Sequence, residues 1–180
     1  MIIDIQDLVV RRGDFTLQIP RFTVQPGQVV GVVGPNGAGK TTLFEVLAGL
    51  GRRQAGRLSV LGYDPAREPV AVRSQLGFVA PQQPLFDLRI GELINLVSGY
   101  YPTWDHAHAE RIRATFGLEP KKRVHALSLG QGTRLRLLLA MAFRPKVLLL
   151  DEPASGLDLS ARRTLMELVL EFVEGGETAI

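Results

Sequence analysis

The stretch QVVGVVGPNGAGKTTLFEVLAGL, residues 28–50, decides the fold. Its first six residues form an apolar run of strand length and read as a fully buried β-strand. Residues 34–41, GPNGAGKT, then match G-x-x-x-x-G-K-[ST]. From Thr41 the spacing of TTLFEVLAGL is helical and stops near Gly49 and Gly51. Strand, glycine-rich turn and helix in that order are the context in which this motif holds phosphate. The loop residues Gly34, Pro35, Asn36, Gly37, Ala38 and Gly39 are therefore expected to wrap a nucleotide's phosphates with inward-turned backbone N–H groups. Lys40 brings a full positive charge to the β- and γ-phosphates. The Thr41 hydroxyl is placed for Mg²⁺, and Thr42 is within reach of the α-phosphate.

The partner of such a loop is found at residues 147–153, VLLLDEP. An apolar strand there carries Asp151 to the carboxyl edge of a sheet, where open α/β folds bind ligands. Asp151 is expected to hold Mg²⁺ through a water molecule. Glu152, beside the γ-phosphate, is expected to act as general base on an attacking water, a role typically worth about 10²- to 10⁴-fold in rate. ATP with Mg²⁺ is the ligand these residues suit, and hydrolysis is the chemistry.

The remaining pattern supplies the frame. IIDIQDLVV and FTLQIPRFTV alternate apolar and polar residues, as half-exposed antiparallel strands do, and Pro26-Gly27 marks a turn. GRLSVLG and LGFVA read as further strands. Residues 90–97, 105–116 and 130–143 have helical spacing, with Pro102 and Pro120 between them. A last helix is expected over 160–174, and ETAI begins a strand. The expected class is α/β, a phosphate-loop NTPase core with a mainly parallel sheet, an N-terminal antiparallel β subdomain and an inserted α-helical subdomain. On this reading 1–180 is one domain, with 1–86 and 145–180 forming the catalytic core and 87–144 the helical part.

Composition narrows the alternatives. With 180 residues and no cysteine, the chain needs no disulfide framework and offers no thiolate metal site. No apolar run approaches the ~20 residues of a membrane span, and MIIDIQDLVV lacks the pattern of a secretory leader. A net charge of +3 comes from dispersed arginines without interleaved aromatic residues, so nucleic acid is not an expected partner.

Three further segments carry a family resemblance. LSLGQ at 127–131 resembles the signature motif of the ATP-binding cassette (ABC) ATPases, GFVAPQQPLF at 77–86 their glutamine loop, and ASGLD at 154–158 their D-loop, all in the family's order. The resemblance covers nearly the whole chain. It implies that Gln82 belongs at the Mg²⁺ and attacking-water position and that Asp158 is a dimer-contact carboxylate. It also implies a head-to-tail dimer, of like or unlike subunits, that sandwiches two ATP molecules. In that dimer Ser128, Gly130 and Gln131 contact the γ-phosphate bound by the other subunit's Lys40. Ser128 is at the same time a good N-cap for the helix that follows.

The chain departs from the family pattern at three places. Leu129 stands where glycine is usual, so dimer closure is expected to be less tight. VRRGDF, 10–15, offers Arg11 or Arg12, with Phe15 slightly beyond, where an adenine-stacking aromatic is usual. The family's switch histidine would follow the strand in which residue 180 falls. His106, His108 and His125 are expected to be surface residues that do not replace it. The chain therefore reads as C-terminally truncated, able to bind ATP with impaired turnover. Tyr100, Tyr101 and Trp104 suggest a small core, with a helix cap by Thr103 or Asp105. Together with residues 83–89 they are also candidate docking surface for a separate transmembrane subunit. The expected function is an ATPase subunit powering such a transporter in the direction of export, held peripherally on the cytoplasmic face of the cell membrane. The alternatives are a soluble ABC ATPase or an ATP-dependent regulatory module.

Overall fold

The structure is a computed structural model that describes residues 1–81 and 83–180. In chain order the elements are β1 (Ile3–Arg12), β2 (Phe15–Val24), α1 (Lys40–Leu47), β3 (Ala55–Val60), α2 (Pro69–Arg73), β4 (Leu76–Val79), α3 (Ile90–Ser98), α4 (His106–Thr115), α5 (Leu129–Met141), β5 (Val147–Leu150), α6 (Leu159–Glu174) and β6 (Thr178–Ala179). A single 3₁₀ turn, Val124–Ala126, precedes α5. The strands form two three-stranded sheets. One is antiparallel in the order β2-β1-β3, and the other is parallel in the order β4-β5-β6.

Strand β1 shows how side-chain period sets burial. Ile3 and Ile5 are buried at odd positions, whereas Leu8 and Val10 are buried at even ones. Simple alternation would send the second pair to solvent. The register against β3 shifts between Gln6 and Val9, and Asp7 takes φ 49°. This bulge inserts one residue and restores the apolar side chains to the same face. Gly56 faces it at φ 87°, where a Cβ would lie 2.3 Å from the Asp7 carbonyl oxygen, so the bulge requires glycine opposite.

Strand β5 is the wall between two cores. Leu148 packs with Ile90, Leu93, Ile112, Leu135 and Leu165 on the helical side. Val147 and Leu149 point the other way, into the core of Ile3, Leu8, Phe44 and Val60. Each of these β5 side chains is fully buried, worth roughly 1.5–3 kcal/mol apiece. A buried parallel strand needs apolar residues on both faces, which explains its unbroken VLLL.

The run at 28–33 departs from expectation: it is not a buried strand. Its sheet contact is an isolated parallel bridge between Val29 and Ala179, with the Val30 N–H donating to the Ala179 carbonyl at 2.9 Å. Val29 is 60% exposed and Val33 95%. An apolar run becomes a core strand only when both edges and both faces are covered. Here β6 meets one edge, and no strand among the described residues meets the other.

The aromatic stretch after α3 divides by role. Tyr101 stacks on Phe143 with ring centroids 4.0 Å apart, Trp104 packs against the helical core, and Tyr100 is exposed. Asp105 caps α4, accepting from the His108 N–H at 2.9 Å, while the Thr103 hydroxyl donates to the Phe143 carbonyl. His108 corrects the surface expectation: it is buried, with Nδ1 3.0 Å from Arg111 Nη2. Arg111 in turn pairs with Glu171 of α6. Burial, helped by Arg144 and Arg111, lowers the imidazole pKa and favours the neutral acceptor. His106 and His125 are exposed as expected.

Candidate nucleotide site

The phosphate loop ends in Gly39, the N-cap of α1, at φ 97°, and Gly37 lies at φ 81°. Both are left-handed conformations that cost a side-chain-bearing residue about 1 kcal/mol or more. They turn the backbone so that the first N–H groups of α1 face outward, unclaimed by any side-chain cap. Lys40 folds back over the loop, Nζ donating to the carbonyls of Gly34 at 2.7 Å and Pro35 at 3.0 Å. The Ala38 N–H donates to the Pro35 carbonyl and closes the turn.

Beside the loop is a cavity of about 270 Å³ lined by Asn36, Gly37, Lys40, Thr41, Thr42 and Glu152, with Phe15 at its rim. Phe15 leans over Gly39: a Cβ there would meet its ring at 2.8 Å. Arg12 is paired with Glu45 and Arg11 is exposed, which leaves Phe15 as the flat group at the cavity. Its position in sequence, just past the expected place, understated it.

The two sequence motifs meet directly. The Thr41 hydroxyl donates to Asp151 Oδ2 at 2.6 Å across 110 positions. Asp151 is 5% exposed, and its backbone N–H donates to the Val79 carbonyl of β4. Among the described residues Thr41 supplies the one side-chain hydrogen bond to this buried carboxylate. A buried carboxylate without a cation is costly, so the pair of hard oxygen atoms fits a divalent cation. Glu152 follows at φ 47°, a region sparsely used by residues with a side chain. It lines the loop cavity and also a neighbouring space of about 600 Å³ with Thr41, Glu45, Phe78 and Pro81. Gln82 lies outside the described residues.

The signature residues stand elsewhere. Ser128 caps α5, its Oγ accepting from the Gln131 N–H at 3.2 Å while Gln131 Oε1 accepts from the Ser128 N–H at 3.2 Å. Lys122 Nζ donates to the same Gln131 oxygen at 2.9 Å. Gly130 is buried, and a Cβ on it would sit 2.5 Å from the Gly156 carbonyl oxygen. The Leu129 side chain lies sideways over Gly156 yet remains 64% exposed. Asp158 caps α6, accepting from the Ala161 N–H at 2.8 Å, and pairs with Arg134 of α5 at 2.5 Å. The cap from the Ala161 N–H, and after it Arg134, hold this carboxyl below its ordinary pKa. Ser128, Gly130 and Gln131 do not line the Lys40 cavity among the described residues.

A glycine-rich loop before a helix, a threonine–aspartate contact at the end of a buried parallel strand and a separate capped turn define an ATP-binding α/β domain. Residues 17–155 match the ABC transporter family, and the chain belongs to it. It is 40% identical over 166 residues to the daunorubicin resistance ATP-binding protein DrrA3 of Streptomyces coeruleorubidus, covering 87% of this chain and 52% of that protein. It is 34% identical over 188 residues to the phosphonates import ATP-binding protein PhnC of Alcaligenes faecalis, covering 93% and 68%. The solved ATP-binding subunit of an ABC transporter superposes with a TM-score of 0.89 at 26% identity, covering 99% of this chain and 78% of that one. The chain spans about half the length of the drug-resistance relatives it matches.

Proposed function

We propose that this chain is the ATP-binding and ATP-hydrolysing subunit of a membrane transporter working in export. The observation that carries this reading is the 2.6 Å contact of Thr41 with Asp151, beside a cavity that Lys40 and Glu152 share. Gly34, Pro35, Asn36, Gly37, Ala38 and Gly39 wrap the phosphates, Lys40 bonds the β- and γ-phosphates, and Thr42 meets the α-phosphate. Phe15 stacks on the base. Thr41, Asp151 and Gln82 would hold Mg²⁺. Mg²⁺, when bound, would offset phosphate charge. No group of three or more His, Cys, Asp or Glu among the described residues would hold the ion alone.

Glu152 takes a proton from water as the water oxygen bonds to the γ-phosphorus and the β–γ bridging oxygen departs with ADP. Ser128, Gly130 and Gln131 close over the γ-phosphate of a second subunit in a head-to-tail dimer, to which Asp158 contributes. A separate transmembrane subunit docks in the groove of about 290 Å³ lined by Leu50, Arg73, Leu85, Phe86, Tyr101 and Phe143. No described helix is long and apolar enough to cross a membrane, which suits peripheral attachment to the cytoplasmic face through that partner. Export is favoured because the resistance protein is the nearer of the two relatives compared, 40% against 34% for the importer.

Lys40→Ala tests the nucleotide reading. Losing a charge-assisted contact to phosphate, about 1.5–3 kcal/mol, should weaken ATP binding roughly 10- to 150-fold by titration calorimetry. Undiminished affinity would overturn the assignment. Co-purification with a multispanning membrane protein tests the transport reading.

A further inference from the structure

Arg136 belongs to no motif, yet among the described residues it makes the one side-chain hydrogen bond from the signature helix to the segment after β4. It projects from α5, and its Nε–H donates to the Gln83 carbonyl at 2.8 Å, across 53 positions of sequence. The guanidinium borders two spaces. On one side is the narrow cleft shared with Asp151, Glu152 and Leu129. On the other is the groove that contains Arg73, Phe86 and Tyr101. Gly132, one turn earlier on α5, leaves room for it: a Cβ there would lie 3.2 Å from Arg136 Nη1. Burial lowers the guanidinium pKa from its ordinary value, and no carboxylate among the described residues pairs with it.

A partly buried arginine whose side-chain bond is to a main-chain carbonyl pays desolvation with little return in stability. A leucine or methionine would fill the same space at lower cost. Such a departure from economical packing is what a site, rather than a core, asks for.

We propose that Arg136 is a positioning residue that fixes the backbone at Gln83 against Asp151 and Glu152. It thereby sets how the segment between groove and hydrolysis site meets both. This rests on the hydrolytic reading above.

The test compares Arg136→Met with Arg136→Gln in the full chain. Glutamine places Nε2 at the same bond count as arginine Nε, so it keeps a donor for the Gln83 carbonyl without the charge; methionine keeps only the length. Hydrogen–deuterium exchange without nucleotide is read first. Arg136→Met should speed exchange over residues 80–88 roughly 2- to 10-fold, as loss of one hydrogen bond allows, with β5 unchanged. Arg136→Gln should restore protection. In steady-state hydrolysis Arg136→Met should lower kcat roughly 10- to 100-fold at constant KM for ATP, and Arg136→Gln should recover most of it. Unchanged exchange in Arg136→Met, equal loosening along all of α5, or a glutamine variant as loose as the methionine one would overturn the proposal. So would a raised KM at unchanged kcat. A failure of the hydrolytic reading appears separately, as parent turnover that is absent or indifferent to Glu152→Gln, and leaves the exchange result standing.

Discussion

The phosphate loop and the signature turn are both glycine-bearing approaches to a helix N-terminus, and they are held in opposite ways. Helix α1 begins at Gly39 with no side-chain cap, so its first N–H groups are uncommitted. Helix α5 begins at Ser128 with a complete capping box, reinforced by Lys122 on Gln131. The first end is left open for an anion and carries a charged lysine. The second is already satisfied, so a phosphate arriving there, as proposed, would have to share Ser128 with the cap. On the proposed reading, binding strength belongs to the loop and geometric fit to the turn.

That contrast can be broken from either side. The largest effect belongs to Glu152→Gln, on the loop side. It removes the proposed general base while keeping the side chain's shape, and kcat should fall about 10²- to 10⁴-fold in a phosphate-release assay. A fall under 3-fold would move the base elsewhere. Gly130→Ala strikes the turn: its Cβ has 2.5 Å to the Gly156 carbonyl, and the forced shift should cost about 1–3 kcal/mol. A thermal melt should show a midpoint drop on the order of 5 °C. Within the single chain, Ser128→Ala removes the cap, costing about 1 kcal/mol in denaturant unfolding. ATP affinity at the same chain's loop should stay unchanged, and if it dropped the two ends would not be separable.

The smallest effect is a remote control. Asp64 forms a bidentate pair with Arg53, at 2.8 and 2.6 Å, and that bond chiefly lowers its pKa from the ordinary 3.8 to about 2. A folded value below the unfolded one stabilises the fold above the unfolded pKa and ceases to do so as pH falls through about 2. Between pH 4 and 2 the parent should therefore lose more stability than Asp64→Asn, measured by acid-dependent melting. ATP affinity near neutrality should not distinguish them.

What was legible in the sequence was local. The loop, VLLLDEP, the helical spacings and the Ser128 cap are each specified by residues within a turn or two of one another. The rest depends on partners far along the chain. The Asp7 bulge is set by Gly56 on another strand, and nothing within β1 announces it. Buried His108 sits against Arg111, whose own partner, Glu171, lies 60 positions away. The apolar run at 28–33 had the composition of a core strand, but composition cannot report which edge is covered. Arg136 was one of many dispersed arginines until its contact with Gln83 singled it out.

The Val29–Ala179 bridge has a consequence for assembly in time. Gly27, just before that run, bonds the Thr178 hydroxyl 151 positions later. The phosphate loop leaves the ribosome early, whereas the strand that steadies its base emerges only after the helices and β5. At about 5–20 residues per second the loop waits on the order of ten seconds for its support. Closing so long a span is what slows folding most. The loop is steadied only once β6 has been made, and ATP, by binding the bridged form, favours that step.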